Sequence, residues 1–332
     1  MSRNLQRGAV GSIIGLAITL LLIVGAAWVL LNRQFVIDQI AVWQFKPSSE
    51  VTQLARDTTM TSDGTFIFYA TQPEIATADR FNADCKKQEE GNAILGCYKA
   101  NRIFIYNVQD ERLNGIKQVT AAHEMLHAVY QRLSEDEKKT VSDELEKIYA
   151  TTSNAELKKR MEYYDRTEPG QRHNELHSIL GTEFSELSPK LEDHYKKYFS
   201  ERQSVVALYR QYNTKFTANE ASRGDLKTEL EALSVEINTL KNQYDTNLNQ
   251  INNDIETFNA RARSGAFSGQ AQFQTERSAL LAKAESVKSE RQAISDKIAL
   301  YEEKRQKYNA LVDESNSMTK ALDSSLAPAP SL

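Results

Sequence analysis

The chain has 332 residues, 40% of them hydrophobic, and a formal net charge of −4. That length buries a sizeable core and leaves room for two domains, while the slightly acidic balance excludes nucleic acid as an expected partner. Cysteine occurs twice and histidine five times, so a cluster of either type carries information.

Residues 9–31 run for 23 positions without a charge, from Ala9 to Leu31, and about 20 suffice to cross the hydrocarbon core as a helix. The run exceeds the roughly 7–15 apolar residues of a secretory signal, and no small-x-small cleavage site closes it, so a transmembrane anchor is expected. Arg3, Arg7 and the amino terminus crowd residues 1–8. Their charge predicts a cytoplasmic N-terminus, with everything after Asn32 outside the cell membrane. Cys85 and Cys97 bracket a short turn-like segment. In an oxidising compartment a disulfide between them would contribute on the order of 3 kcal/mol, and two free thiols are the alternative.

A short helix is expected around Val51–Ala55, then a turn at Ser62-Asp63-Gly64 and a strand over Thr65–Ala70. A second strand, Arg102–Val108, is rich in β-branched and aromatic residues. Beyond the break at Asn114-Gly115, residues 117–133 read as a helix. Charged helices follow at Glu135–Ala150 and Ala155–Asp165, then a turn at Thr167–Gln171, a helix through Asn174–Ser178 and a helix start at Ser188-Pro189. From Leu226 onward apolar residues recur four and three apart, interrupted by Ser264–Gly269. This predicts an antiparallel coiled-coil hairpin over 226–315, with arms of about 37 residues or roughly 55 Å. The seam of its second arm is expected through Phe273, Leu280, Ala284, Val287, Ile294, Ile298, Tyr301, Tyr308 and Val312, with Arg277, Arg291 and Arg305 also on it. A seam so mixed suggests a protein partner that stabilises the arm. The tail 322–332 has the composition of a disordered segment.

The chemistry is concentrated in His123-Glu124-Met125-Leu126-His127. Residues four apart share a helix face, so both imidazoles reach one ion. Glu124, turned about 100° around the axis, stands beside the metal without ligating it. There it takes a proton, as general base, from a water whose pKa zinc lowers toward neutrality. Catalytic zinc needs a third protein ligand and an open position. The candidates are Glu175, His177 and Glu183 in the segment His173–Glu183.

Here the chain resembles the zincin metallopeptidases, in particular the gluzincin branch, whose third ligand is a glutamate on a helix C-terminal to the motif helix. The pair Asn174-Glu175 looks like that branch's Asn-Glu element, which implies Glu175 as third ligand with His177 as its rival. A metzincin would need a histidine at position 133, which is Leu133. Gluzincins often place an acidic residue four after the ligand glutamate, whereas this chain has Ile179. Support for a histidine ligand is therefore expected from Glu183, two helical turns beyond Glu175. Candidate oxyanion donors are His173, Tyr163, Tyr164, His194 and Tyr195, and the strand Arg102–Val108 offers an edge to an extended peptide.

The resemblance covers roughly residues 60–200 and implies an α+β, mainly α fold: a small sheet with active-site helices in a domain at 47–217. The expected function is that of a membrane-anchored, extracytoplasmic zinc metallopeptidase acting on a peptide or protein. The alternative is a membrane-tethered coiled-coil interaction protein whose zinc site is structural or vestigial. A structural site would be closed by a fourth ligand, for instance both Glu175 and His177.

Overall fold

The computed structural model describes residues 4–85 and 94–324, with side chains from residue 15 onward. The chain is mainly helical with a small sheet and divides into two compact units, Met1–Thr214 with Met318–Leu332, and Lys215–Ser317. Most of the segment between the cysteines, the side chains of residues 1–8, and the tail from residue 325 lie outside the described residues.

The first unit opens with α1 (Asn4–Leu31) and α2 (Arg33–Gln44), separated by Asn32 alone. Among the described residues no single helix is long and apolar enough to cross a membrane. Gly15–Leu31 and Arg33–Gln44 meet that length and composition only together, as a pair bent by 83°. From Leu16 to Leu31 the large apolar side chains are exposed, and Trp28 meets the Phe35 ring of α2.

Ser48 caps α3 (Ser49–Asp57) by accepting from the Val51 amide, and the helix buries Val51, Leu54 and Ala55. The strand expected at Thr65–Ala70 is instead α4 (Ser62–Ala70). Thr61 caps it through the Gly64 amide, and helical spacing buries both Phe68 and Gly64 on the protein side. Gly64 is no turn residue: a Cβ there would lie 2.3 Å from the carbonyl oxygen of Tyr198. Tertiary contact thus overrides the β propensity of Thr-Phe-Ile-Phe-Tyr.

Strands β1 (Glu74–Ala76), β2 (Gly96–Lys99) and β3 (Arg102–Tyr106) form one sheet in the order β1-β3-β2, with α5 (Ala78–Asp84) after β1. β1 is parallel and β2 antiparallel to β3, and Ala100 and Asn101, both at positive φ, turn the β2–β3 hairpin. β3 is therefore central, with both edges paired. The edge expected of Arg102–Val108 belongs instead to β2.

The motif helix α6 (Ile116–Arg132) begins after Gly115, whose φ of 101° suits glycine and where an added Cβ would lie 3.0 Å from the Leu208 carbonyl oxygen. Next come α7 (Glu135–Thr151), started by a Ser134–Glu137 capping box, and α8 (Ala155–Thr167), capped by Asn154. α9 (Arg172–Glu183) and α10 (Pro189–Tyr195) complete this part of the unit. Met125, Leu126 and Val129 of α6 share a core with Leu176, Ile179 and Leu180 of α9, all at or near zero exposure. Each such side chain contributes about 1.5–3 kcal/mol of burial. The packing is tight at Gly181, where a Cβ would lie 2.5 Å from Leu126 Cδ1 and 2.8 Å from the Tyr195 ring.

The second unit takes in most of α11 (Arg202–Ser264) and α12 (Gln270–Leu322). Asn247 bonds Glu290, and ion pairs join Asp254 to Lys283, Glu236 to Lys297 and Glu229 to Lys304, so these stretches run antiparallel. Leu233, Ile251 and Val287 are buried between them, and Phe258, Phe267 and Phe273 cluster where Arg261 meets Glu276. The seam differs from expectation on one flank. Ala284 and Ile298 are exposed, and the half-buried line runs one residue earlier through Glu290, Lys297 and Lys304. Opposite charges meeting across the helices set that rotation.

Gly181→Ala is expected to lower the stability of the first unit by about 1–3 kcal/mol through overpacking. Gly224→Ala, with nothing within 4 Å of the added Cβ, is expected to stabilise its helix by about 0.5–1 kcal/mol. Chemical denaturation followed by circular dichroism measures both shifts.

Candidate metal centre

α6 presents His123 and His127 on one face, their rings 4.7 Å apart at 82°. α9 brings Glu175 against them: His127 Nε2 lies 3.7 Å from Glu175 Oε1 and His123 Nε2 lies 3.9 Å from Glu175 Oε2. One ligand atom from each residue lies within 4.8 Å of the others, so the three can hold a metal ion. His177 does not join them. Buried completely, it points its Nε2 at His194 Nε2, 2.8 Å away, while its carbonyl accepts from the Tyr195 hydroxyl.

Two imidazoles and a carboxylate are a donor set suited to a metal ion. His127 Nδ1 donates to Asn174 Oδ1 at 3.0 Å and lies 3.2 Å from Ser178 Oγ. The Asn174 amide nitrogen in turn donates to Gln171, which fixes its orientation. This arrangement leaves His127 Nε2 as the ligand atom. Glu183, expected as that support, instead pairs with Arg160 through both carboxylate oxygens at 2.9 Å. Burial, then His127 and the Arg160 guanidinium, hold the His123 imidazole well below its ordinary pKa, in the neutral form a metal requires. Burial opposes protonation of His127 too, but the Glu175 and Glu124 carboxylates and the Asn174 hydrogen bond outweigh it and raise its pKa.

Glu124 is only 6% exposed and packs against β2, where a Cβ on Gly96 would lie 2.6 Å from Glu124 Oε1. A glycine is thus required beside the carboxylate. The three metal-binding candidates and Glu124 line a cleft of about 800 Å³. Its other walls include β2, the cysteines, Arg160, Tyr163 and Tyr164. Cys85 and Cys97 form a disulfide, which ties the end of α5 to β2.

Of the expected oxyanion donors, Tyr163 and Tyr164 line the cleft. His173 pairs with Glu146, and His194 and Tyr195 are engaged with His177. Ser178, Gly96 and Arg160 escaped the sequence reading as functional residues, and Asn174 entered it only as half of the Asn174-Glu175 pair. Asn174 and Ser178 were detectable as polar positions one before and three after Glu175 on the same helix, whereas Gly96 and Arg160 carried no local signal.

Compared with known protein families, curated proteins and solved structures, the chain matches none.

Asn174→Ala is expected to weaken metal binding about 10–100-fold without abolishing it, as read by chelator competition, whereas His127→Ala should remove stoichiometric metal. A second expectation concerns acid stability. Burial, and then Lys197, push His194 down to about 4. Between the ordinary histidine value of about 6.5 and that value, the unfolded chain binds a proton that the folded chain refuses. Stability is thus full above pH 6.5 and falls toward pH 4, by up to about 3 kcal/mol from this group. Urea denaturation at several pH values should show a shallower loss for His194→Gln than for the parent.

Proposed function

We propose that the chain is a membrane-anchored zinc metallopeptidase of the zincin type, with its cleft outside the membrane. The observation that carries this reading is the meeting of His123, His127 and Glu175 within 4.8 Å, in a cleft that also presents Glu124. Two imidazoles and a carboxylate, with a water position left over, are the donor set of hydrolytic zinc.

Zinc bound there would supply a Lewis acid and lower the pKa of water toward neutrality. The chain's own groups do the rest. Glu124 accepts a proton from the attacking water and, as the C–N bond breaks, passes it to the leaving amine. The edge strand β2 offers backbone groups to an extended peptide, and its antiparallel neighbour β3 keeps it straight. Tyr163, Tyr164 and Arg160, which line the same cleft, serve as donors toward developing negative charge.

Anchoring is supported by the exposed apolar surface of α1 and by the positive charge of residues 1–8. The Cys85–Cys97 disulfide fits an oxidising, extracytoplasmic compartment. The two antiparallel arms of the second unit we interpret as a coiled-coil hairpin that engages a protein substrate or partner. The rival reading, a structural zinc site in an interaction protein, calls for a fourth ligand, and His177 is turned to His194 instead.

The test uses the full chain in lipid nanodiscs. Elemental analysis should give one zinc per chain, and a quenched-fluorescent library of flexible peptides should be cleaved, with activity lost to chelation and restored by zinc. Glu124→Gln should keep the zinc while hydrolysis falls by two or more orders of magnitude, roughly the 10²–10⁴-fold share of general-base catalysis. Equal turnover by Glu124→Gln, or a zinc-loaded parent that cleaves nothing, would sink the proposal.

A further inference from the structure

Helix α2 has two unlike faces. Toward the protein it buries Asp38, 3% exposed, whose carboxylate accepts from Arg132 Nε at 2.8 Å and Nη2 at 2.7 Å. Phe45, just past its end, is half-buried against the Tyr69 ring. Toward solvent it presents Ile37, Ile40 and Trp43, at 40%, 48% and 85% exposure. Ile40 lies roughly 160° around the axis from Asp38 at 100° per residue, so the paired face and the bare face are nearly opposite.

That bare face is not scattered surface. Among the described residues of the first unit, every exposed large apolar side chain falls between Leu16 and Trp43. The apolar surfaces of α1 and α2 are continuous, for Phe35 meets Trp28 edge to face at 6.5 Å. The two helices turn through 83°. A helix along the membrane normal followed by one at nearly a right angle to it puts the second in the plane of the interface. Its composition suits that depth: tryptophan near its end, and exposed Arg33 and Lys46 flanking the helix. A water-facing helix would have no use for this pattern, and a second half of a broken span would bury Asp38 in lipid without Arg132.

We propose that α2 lies flat in the outer headgroup region, with Ile37, Ile40 and Trp43 in the acyl boundary, and so docks the first unit on the lipid surface. The inference rests on the anchor reading of α1. Because Arg132 is the last residue of the motif helix, its bond to Asp38 fixes the candidate metal centre relative to that surface. The substrate class this favours is polypeptide presented at the membrane surface.

The chain has two tryptophans, Trp28 and Trp43, so single-residue substitutions isolate each. The full chain carrying Trp28→Phe is placed in nanodiscs made with lipids brominated either high or low on the acyl chain. Trp43 should be quenched most by the high position and be shielded from aqueous iodide. Ile37→Glu with Ile40→Glu should cut that lipid quenching about twofold or more. Iodide quenching without bromine quenching would overturn the proposal, as would strongest quenching from the low position, which is the signature of a broken span. Shielding from both quenchers would also overturn it, since a protein surface would then cover α2. Trp43→Phe reports Trp28 alone and tests the anchor separately. Lipid quenching of Trp28 with none of Trp43 would sink only the docking helix, while its absence from both would withdraw anchor and docking together.

Discussion

The close crossing of α9 over α6 at Gly181 determines the geometry of the candidate metal centre. Glycine lets the helices approach until Leu126 and the Tyr195 ring occupy the space a Cβ would need. Glu175, six residues earlier on α9, is thereby carried to the face of α6 that bears His123 and His127. Asn174 and Ser178 arrive with it and fix the ring of His127. One packing contact thus delivers both a candidate ligand and the groups that orient another, and the apolar core beneath keeps them there.

The electrostatics follow from the same burial. A carboxylate and two imidazoles held within a few ångströms in a half-closed cleft favour neutral His123 beside a His127 whose protonated form the Glu175 and Glu124 carboxylates stabilise. A divalent cation satisfies that arrangement better than protons do, because one ion answers the carboxylates and both ring nitrogens at once. Arg160 adds positive charge to the cleft, and Glu183 holds it in place. The pair leaves the cleft polar without adding net charge.

Much of this was legible in the sequence because helical periodicity is local. His123 and His127 had to share a face, and Glu124 had to stand beside it. The helix alone did not choose between Glu175 and His177: both meet α6, Glu175 at the two motif histidines and His177 at the Tyr130 ring, 5.4 Å away. What the sequence withheld depends on contacts distant along the chain. Thr65–Ala70 has a strand's composition, yet its approach to Tyr198 makes it helical. Arg102–Val108 reads as a strand, but strand order alone decides whether its edge is available. In the second unit Val287 is buried, while the flank beside it carries charge pairs between the two helices that an apolar repeat does not specify.

The bond between Asp38 and Arg132 joins residues 94 positions apart, and this separation orders the birth of the molecule. At about 5–20 residues per second, synthesis delivers Arg132 roughly 5–20 s after Asp38. Until then the carboxylate must stay hydrated, because burying it alone would cost several kcal/mol. α2 therefore cannot close on the rest of the unit before the last turn of α6 exists. The nascent chain thus holds α2 open until α6 is made, so a chain stopped short of Arg132 has neither a finished cleft nor a seated α2.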